Sequence, residues 1–357
     1  MSEQFLISGI QQIGLGNISV YDTWDWYRKN LGMDLPIFDE AAEAALMLPY
    51  TGGKPRSRHA ILAMNHMGGG GLEIWQYTSK TPVEIGFEPT LGDTGITINK
   101  FKSPDVSKAY TELKKRNVDI ISTPSKDPTG RNHFYIRDLY GNLIEIIESD
   151  NWFRKKLWYT GGIYGCVIAV SDIEKSLPFY QELLGYDSVL YEGTEIYDDF
   201  KNISGKDHNI RRVILSHSKA RKGPFSKLLG KSEIELIQNL DHNPTPLFKD
   251  RMWGDIGYIH LCLDIRGMDA LRKRCKEFGS AFTVDSGDFD MGEAAGQFAY
   301  IEDPDGTLIE FVEAHKLPLL KKINWYLDLQ KRPQDKSLPT WMLYAMGLNR
   351  YKNNPKF

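Results

Sequence analysis

The chain repeats itself, and that repetition restricts its folds more than any other feature. Tyr27 followed by Leu31-Gly32 recurs as Tyr180 followed by Leu184-Gly185, 153 positions later. Asp138-Leu139-Tyr140-Gly141-Asn142-Leu143-Ile144-Glu145 recurs as Asp303-Pro304-Asp305-Gly306-Thr307-Leu308-Ile309-Glu310, 165 positions later. Duplicated blocks of this length are supersecondary units that bury their apolar faces against one another.

Each half divides again into two units of strand, helix and three strands. In the first unit, strand character over 7–20 leads into a helix over 21–31 closed by Gly32, with further strands near 44–49, 59–65 and 71–77. The second unit reads as a strand at 95–101, a helix at 104–116 opened by Pro104, and strands at 118–123, 132–138 and 142–148. The third has a strand at 162–170, a helix from the N-cap Asp172 to Leu184, and strands near 187–193, 210–217 and 232–238. The fourth has a strand through 257–265, a helix at 268–278 and strands near 281–285, 297–302 and 307–313. Four βαβββ modules predict an α+β chain: residues 1–150 as one half, 151–315 as the other, and 316–357 as a C-terminal extension. In that extension, the apolar spacing of Leu319, Leu320, Ile323, Trp325, Tyr326 and Leu329 predicts a helix, and Trp341-Met342-Leu343-Tyr344 a second anchor. The run Gly68-Gly69-Gly70-Gly71 leads into a strand rather than a helix, so it reads as a flexible hairpin turn and not a phosphate loop.

"VSDIEKSLPFYQELLGYD" (170–187) and "YIEDPDGTLIEFVEAHK" (300–316) resemble the vicinal oxygen chelate superfamily, which includes glyoxalase I, extradiol dioxygenases and bleomycin-resistance proteins. The resemblance spans about residues 7–315. It implies that pairs of modules close into cup-shaped mixed sheets. It also implies a divalent metal at the centre of a cup, held by the first and last strands of its two modules.

Eight positions can then be tested: the first-strand residues Gln12, Ile98, Gly165 and His260, and the last-strand residues Glu73, Glu145, Glu235 and Glu310. Alternation in Tyr258–Ile265 puts His260 on one face with Tyr258, Cys262 and Asp264, while Ile259, Leu261, Leu263 and Ile265 form the other. Glu73 and Glu310 likewise point away from their apolar neighbours, and Gln12 shares its face with Gly14 and Gly16, which leaves room there. A lone His or Glu at such a place is more often a satisfied core or surface group. Four matched positions are the argument for a ligand set.

Pairing decides the result. Within halves, each cup is incomplete. If the first module pairs with the fourth, one cup holds Gln12, Glu73, His260 and Glu310, and the other holds Glu145 and Glu235 with Ile98 and Gly165. The complete set resembles the ligands of glyoxalase I, whose fused forms use this crossed pairing. Two carboxylates, an amide and one imidazole suit one divalent metal ion: zinc, nickel, cobalt, manganese or iron. In the second cup, Lys100 shares the strand parity of Ile98 and is expected to neutralise Glu145 and Glu235.

The resemblance implies a metal-dependent isomerase or lyase acting on a small molecule with vicinal oxygens through an enediolate, with Glu310 as main base and Glu73 as the second. The alternatives are an extradiol-type dioxygenase, which needs a second His among the ligands, and a non-catalytic binding or resistance protein. Glutathione-using members carry a basic residue four positions after the Gln, where this chain has Gly16. Lys219-Ala220-Arg221-Lys222 reads as a solvated tip or an anion clamp at the cup mouth, and Trp253, an aromatic before a strand, as packing or as a lining of the cup.

A net charge of −3 argues against nucleic acid as a partner. No apolar stretch reaches membrane-spanning length. Three cysteines without metal spacing (Cys166, Cys262, Cys275) and no signal-like start point to a cytoplasmic protein, expected as a monomer or homodimer.

Overall fold

The computed structural model describes residues 4–351 except 156, 291–294 and 321–324. Two curled, mixed sheets of ten and nine strands share one apolar core with the helices. The first sheet joins the first and fourth modules. The opening strand Leu6–Asn17 pairs antiparallel with Gly257–Arg266, and on its other edge runs parallel to Gly71–Tyr77. The second sheet joins the second and third modules through Gly95–Ser103 and Ile163–Ala169. The crossed pairing is therefore the one the chain adopts.

The repeated sequence blocks have a physical reason. Tyr27, on the helix Val20–Leu31, donates to Asp138 Oδ2 at 2.8 Å. Its counterpart Tyr180 donates to Asp303 Oδ2 at 2.7 Å. Each Asp closes its turn by accepting backbone N–H groups, from Tyr140 and Asn142 in one copy and from Asp305 and Thr307 in the other. The helix of one sheet is thus tied to a turn of the other, twice. All four side chains are buried, and burial pushes Asp303 up to about 6. Local rules explain the helix ends: Ser19 caps the first helix, and Gly32 and Gly185 stop their helices at φ 69° and 68°. Pro178 ends the α-helical turns of the third module, and Phe179–Leu183 continues as a wider π turn.

Four expectations fail. The strand predicted at 44–49 lies at Leu35–Glu43, and the apolar Leu48 falls in a short 3-10 turn. The glycine run is a buried seam rather than a mobile tip. Gly70 and Ile163 exchange backbone hydrogen bonds of 2.8 and 2.9 Å, and a Cβ on Gly69 would stand 2.8 Å from the backbone of Gly162. The helix predicted over 319–329 is strand where it is described: Leu308–Leu320 runs on past its module and pairs antiparallel with Trp325–Asp328, and Ile323 lies outside the described residues. Ladder hydrogen bonds to an existing sheet edge outweigh helical spacing there. The tail's other segment is helical, Thr340–Met346, and it packs on the body through Leu343 and Met346 against Leu35, Met64 and Leu228. Finally, a bulge between Gly14/His260 and Leu15/Tyr258 turns Ile259 into the aromatic cluster of Trp75, Trp253 and Tyr300.

Candidate metal centre

Gln12, Glu73, His260 and Glu310 meet inside the first cup although the sequence separates them by up to 298 positions. The register places them. Gln12 lies beside Cys262, and Gly14 lies between His260 on one neighbouring strand and Glu73 on the other. The room left by Gly14 is taken by the imidazole: a Cβ at Gly14 would stand 2.4 Å from His260 Cε1. His260 Nε2 is 3.2 Å from Glu73 Oε2 and 3.2 Å from Glu310 Oε2. The Gln12 amide nitrogen lies 3.3 Å from the same two oxygens. The ligand atoms of Glu73, His260 and Glu310 all fall within 4.8 Å of one another, the one such group of His, Cys, Asp and Glu among the described residues.

The polar inventory of this cluster is incomplete. Neither ring nitrogen of His260 makes an aligned hydrogen bond despite the short distances, and Gln12 Oε1 is buried without a donor. The aligned donor is the Gln12 amide, which gives its N–H groups to both carboxylates; an imidazole and an amide oxygen left unpartnered beside two carboxylates suit a shared cation. In its absence the two carboxylates hold His260 protonated up to about 9 against the cost of burial, and His260 in turn holds the Glu310 carboxyl below its ordinary value.

Aromatic rings wall the centre. Trp253 stacks on His260 at 6.3 Å between centroids and 18° between planes, and Tyr300 meets the ring edge-on at 5.6 Å. Trp75 packs against Trp253 at 4.5 Å. Trp253 belongs to the segment before the His260 strand. That segment roofs the first strand because Gly16 has no side chain: a Cβ there would lie 1.9 Å from the Asp255 carbonyl oxygen. Trp253 is therefore a cup residue, not packing alone. Parity could have found the other two rings, since Trp75 is two residues past Glu73 and Tyr300 is the cross-strand partner of Glu310.

The second cup has a different content. Lys100 Nζ sits 2.7 Å from Glu233 and 3.3 Å from Glu145, and also contacts Glu235. Arg212 bonds Glu235 and lies 2.7 Å from Asp199, Arg131 reaches Glu233 at 2.8 Å, and His133 Nδ1 lies 2.7 Å from Glu145. Glu233, Arg212, His133 and Asp199 were not anticipated. Glu233 shares its face with Glu235 two residues on, and Arg212 its face with Ile210 and Ile214, so alternation carried that signal. Ile98 and Gly165 contribute no polar group. Arg221 in the basic loop packs over Tyr186 and donates to the Leu184 carbonyl, so it forms no clamp on a cup.

A family model described as the Glyoxalase/Bleomycin resistance protein/Dioxygenase superfamily matches residues 9–146, and a second model of the same description matches 166–300. No curated protein matches the chain in sequence. Among solved structures, glyoxalase I from Zea mays is similar with a TM-score of 0.54 and 15% identity, covering 85% of this chain and 92% of that one. A putative dioxygenase from Bacillus subtilis subsp. subtilis str. 168 gives 0.55 and 13%, covering 86% of each. At such identities the likeness is one of fold. No described helix is long and apolar enough to cross a membrane.

Proposed function

Because this chain belongs to the glyoxalase/bleomycin resistance protein/dioxygenase superfamily, we propose that it is a metal-dependent isomerase or lyase that moves a proton between adjacent oxygen-bearing carbons of a small substrate. The observation that carries the reading is the convergence of Gln12, Glu73, His260 and Glu310 on one point in a buried, aromatic-walled cup. These four residues would hold one divalent ion of the zinc, nickel, cobalt, manganese or iron group. When bound, the ion supplies Lewis acidity towards two vicinal oxygens and so makes the intervening carbon–hydrogen bond more acidic.

The chain's own groups do the rest. In the metal-free cup His260 holds the Glu310 carboxyl below its ordinary value, and a bound divalent charge would do the same, so Glu310 is in the ionised state a base requires at neutral pH. It accepts the proton from one carbon and returns it to the next. Glu73 Oε2 lies 3.2 Å from the same His260 Nε2 as Glu310 and serves as the second carboxylate. Trp253, Trp75 and Tyr300 wall the cup with aromatic surface, which lowers the local polarity and strengthens each charge interaction in it. Tyr300 also bonds Glu310 and orients it. Extradiol cleavage is a poorer fit, because this cup presents one imidazole among the described residues and His133 lies in the other. A purely sequestering protein is a poorer fit too, since buried carboxylates without a chemical partner are costly.

The test is proton exchange. 2-Hydroxyacetophenone, whose methylene lies between two oxygen-bearing groups, is incubated with the protein in D2O and followed by NMR. Metal-loaded protein is expected to exchange the methylene protons, and Glu310→Gln, reloaded with metal and with its metal content measured, to lose at least 100-fold of that rate, as removal of a general base does. Exchange that survives Glu310→Gln, or that metal removal leaves unchanged, overturns the assignment.

A further inference from the structure

Two adjoining cavities open at the rim of the first cup, at the ends where the strands carrying His260 and Glu310 begin. The first encloses about 480 Å³ and the second about 360 Å³, within the range of small-molecule sites. They share Ile96, Phe248, Arg251 and Tyr258 as a common wall. The first cavity belongs to the cup. Its lining includes Trp253, Met252, Ile259 and Leu308, all members of the aromatic cluster that surrounds the candidate metal centre. Leu308 precedes Glu310 by two residues on the same strand face, about 7 Å away at strand spacing. The cavity is thus one pleat outward from Glu310.

Arg251 is the one cation on the lining of this cavity among the described residues. Its guanidinium lies 4.4 Å over the Phe248 ring. Its Nη atoms donate only to backbone carbonyls, those of Leu247, Ile256 and Val83, and its Nε is buried with no partner. No described carboxylate forms a salt bridge with it. The acidic groups on the same lining are Asp250 and Asp305, and Asp305 is occupied by the backbone N–H of Ser171 at 2.8 Å. Val83 and Ile256 take both N–H groups of Nη1 and Leu247 takes one of Nη2, so an arginine fixed by carbonyls and backed by an aromatic ring keeps one Nη2 N–H for a carboxylate.

We infer that this cavity binds the remote part of the substrate: a mainly apolar chain or ring that ends in a carboxylate, which Arg251 receives. The inference rests on the reading of the first cup as the reaction centre, and it names the substrate class, a carboxylate-tailed molecule with vicinal oxygens at its other end. Phe248, Met252 and Leu308 take the apolar section, and Arg251 fixes its length by meeting the terminal charge.

Octanoate, octanamide and butyrate serve as probes in isothermal titration calorimetry with the purified protein. Octanoate is expected to bind at least tenfold more tightly than octanamide, and affinity to rise about threefold to fourfold per methylene from butyrate. Arg251→Met should abolish the preference for octanoate over octanamide with metal content unchanged. Leu308→Trp, which fills the cavity and leaves Arg251 in place, should weaken both eight-carbon probes at least tenfold. Equal binding of acid and amide, or an acid preference that persists in Arg251→Met because the carboxylate sits on the metal, overturns the inference. Full octanoate binding by Leu308→Trp does the same. Failure of the underlying reading shows elsewhere, as wild-type protein without a stoichiometric metal.

Discussion

Replacing Lys100 with Met should destabilise the protein severely and in a pH-dependent way. The ammonium is fully buried and contacts three carboxylates, those of Glu145, Glu233 and Glu235. With Asp199 and Asp127 the cluster holds five carboxylates against three permanent cations, Lys100, Arg131 and Arg212. Removing one cation leaves buried negative charge uncompensated, which costs about 3–5 kcal/mol. The sign of the pH effect follows from linkage. In the native protein Lys100 and His133 hold Glu145 well below its ordinary value, so its contribution is present above the unfolded carboxylate range near 4.5 and is lost as pH falls below it. Without Lys100 the same carboxylates are raised and take up protons between neutral and mildly acid pH. The deficit of Lys100→Met should therefore shrink by roughly 1 kcal/mol or more between pH 7 and pH 5. Urea unfolding followed by tryptophan fluorescence at both pH values measures it. A deficit below about 1 kcal/mol at pH 7 would refute the view that Lys100 is the cation of the second cup, since breaking a buried pair costs more than that. A deficit independent of pH would refute the charge argument.

Gly14→Val should abolish metal binding without altering any ligand, because its side chain takes the space of the His260 ring, 2.4 Å from where its Cβ would lie; elemental analysis of the purified variant checks this. Metal-free protein should lose on the order of 3 kcal/mol as pH rises from 6.5 towards 9, because a raised histidine pKa stabilises fully below the unfolded value and loses that effect through the folded one. In the same range metal uptake should release about one proton from His260, which calorimetry in buffers of different ionisation heat reads. Tyr27→Phe and Tyr180→Phe should each cost about 1.5–3 kcal/mol, the worth of a hydrogen bond to a charged group, and similar urea midpoint shifts would show that the two repeats do the same job.

Much of this architecture was legible because the informative residues are constrained twice. Tyr27, Asp138, Tyr180 and Asp303 recur because each pair bridges the two sheets, so the duplication recorded a contact. The family resemblance pointed to the four residues of the candidate centre, and strand parity with matched spacing, which survive without tertiary knowledge, supported them. The bulge beside His260 did not, because an extra residue that turns Ile259 inward leaves no mark in composition. The pairing of 308–320 with 325–328 was hidden for another reason: helical apolar spacing is a local signal, and an available sheet edge is not. The second cup's network was half visible. Lys100 follows from parity with Ile98, whereas Arg212, His133 and Asp199 lie on middle strands and loops whose register the sequence leaves open. Trp253 precedes its strand, and only the close approach of its segment to Gly16 shows that it roofs the cup.

The central claim is one metal centre, built by the first and fourth modules across the crossed pairing. Elemental analysis of purified wild-type, His260→Ala and Ile98→Ala proteins tests it directly. The account predicts one divalent ion per chain in the wild type and in Ile98→Ala, and less than a tenth of that in His260→Ala. Stoichiometric metal retained by His260→Ala, or two ions per chain with one on Glu145 and Glu235, would contradict it.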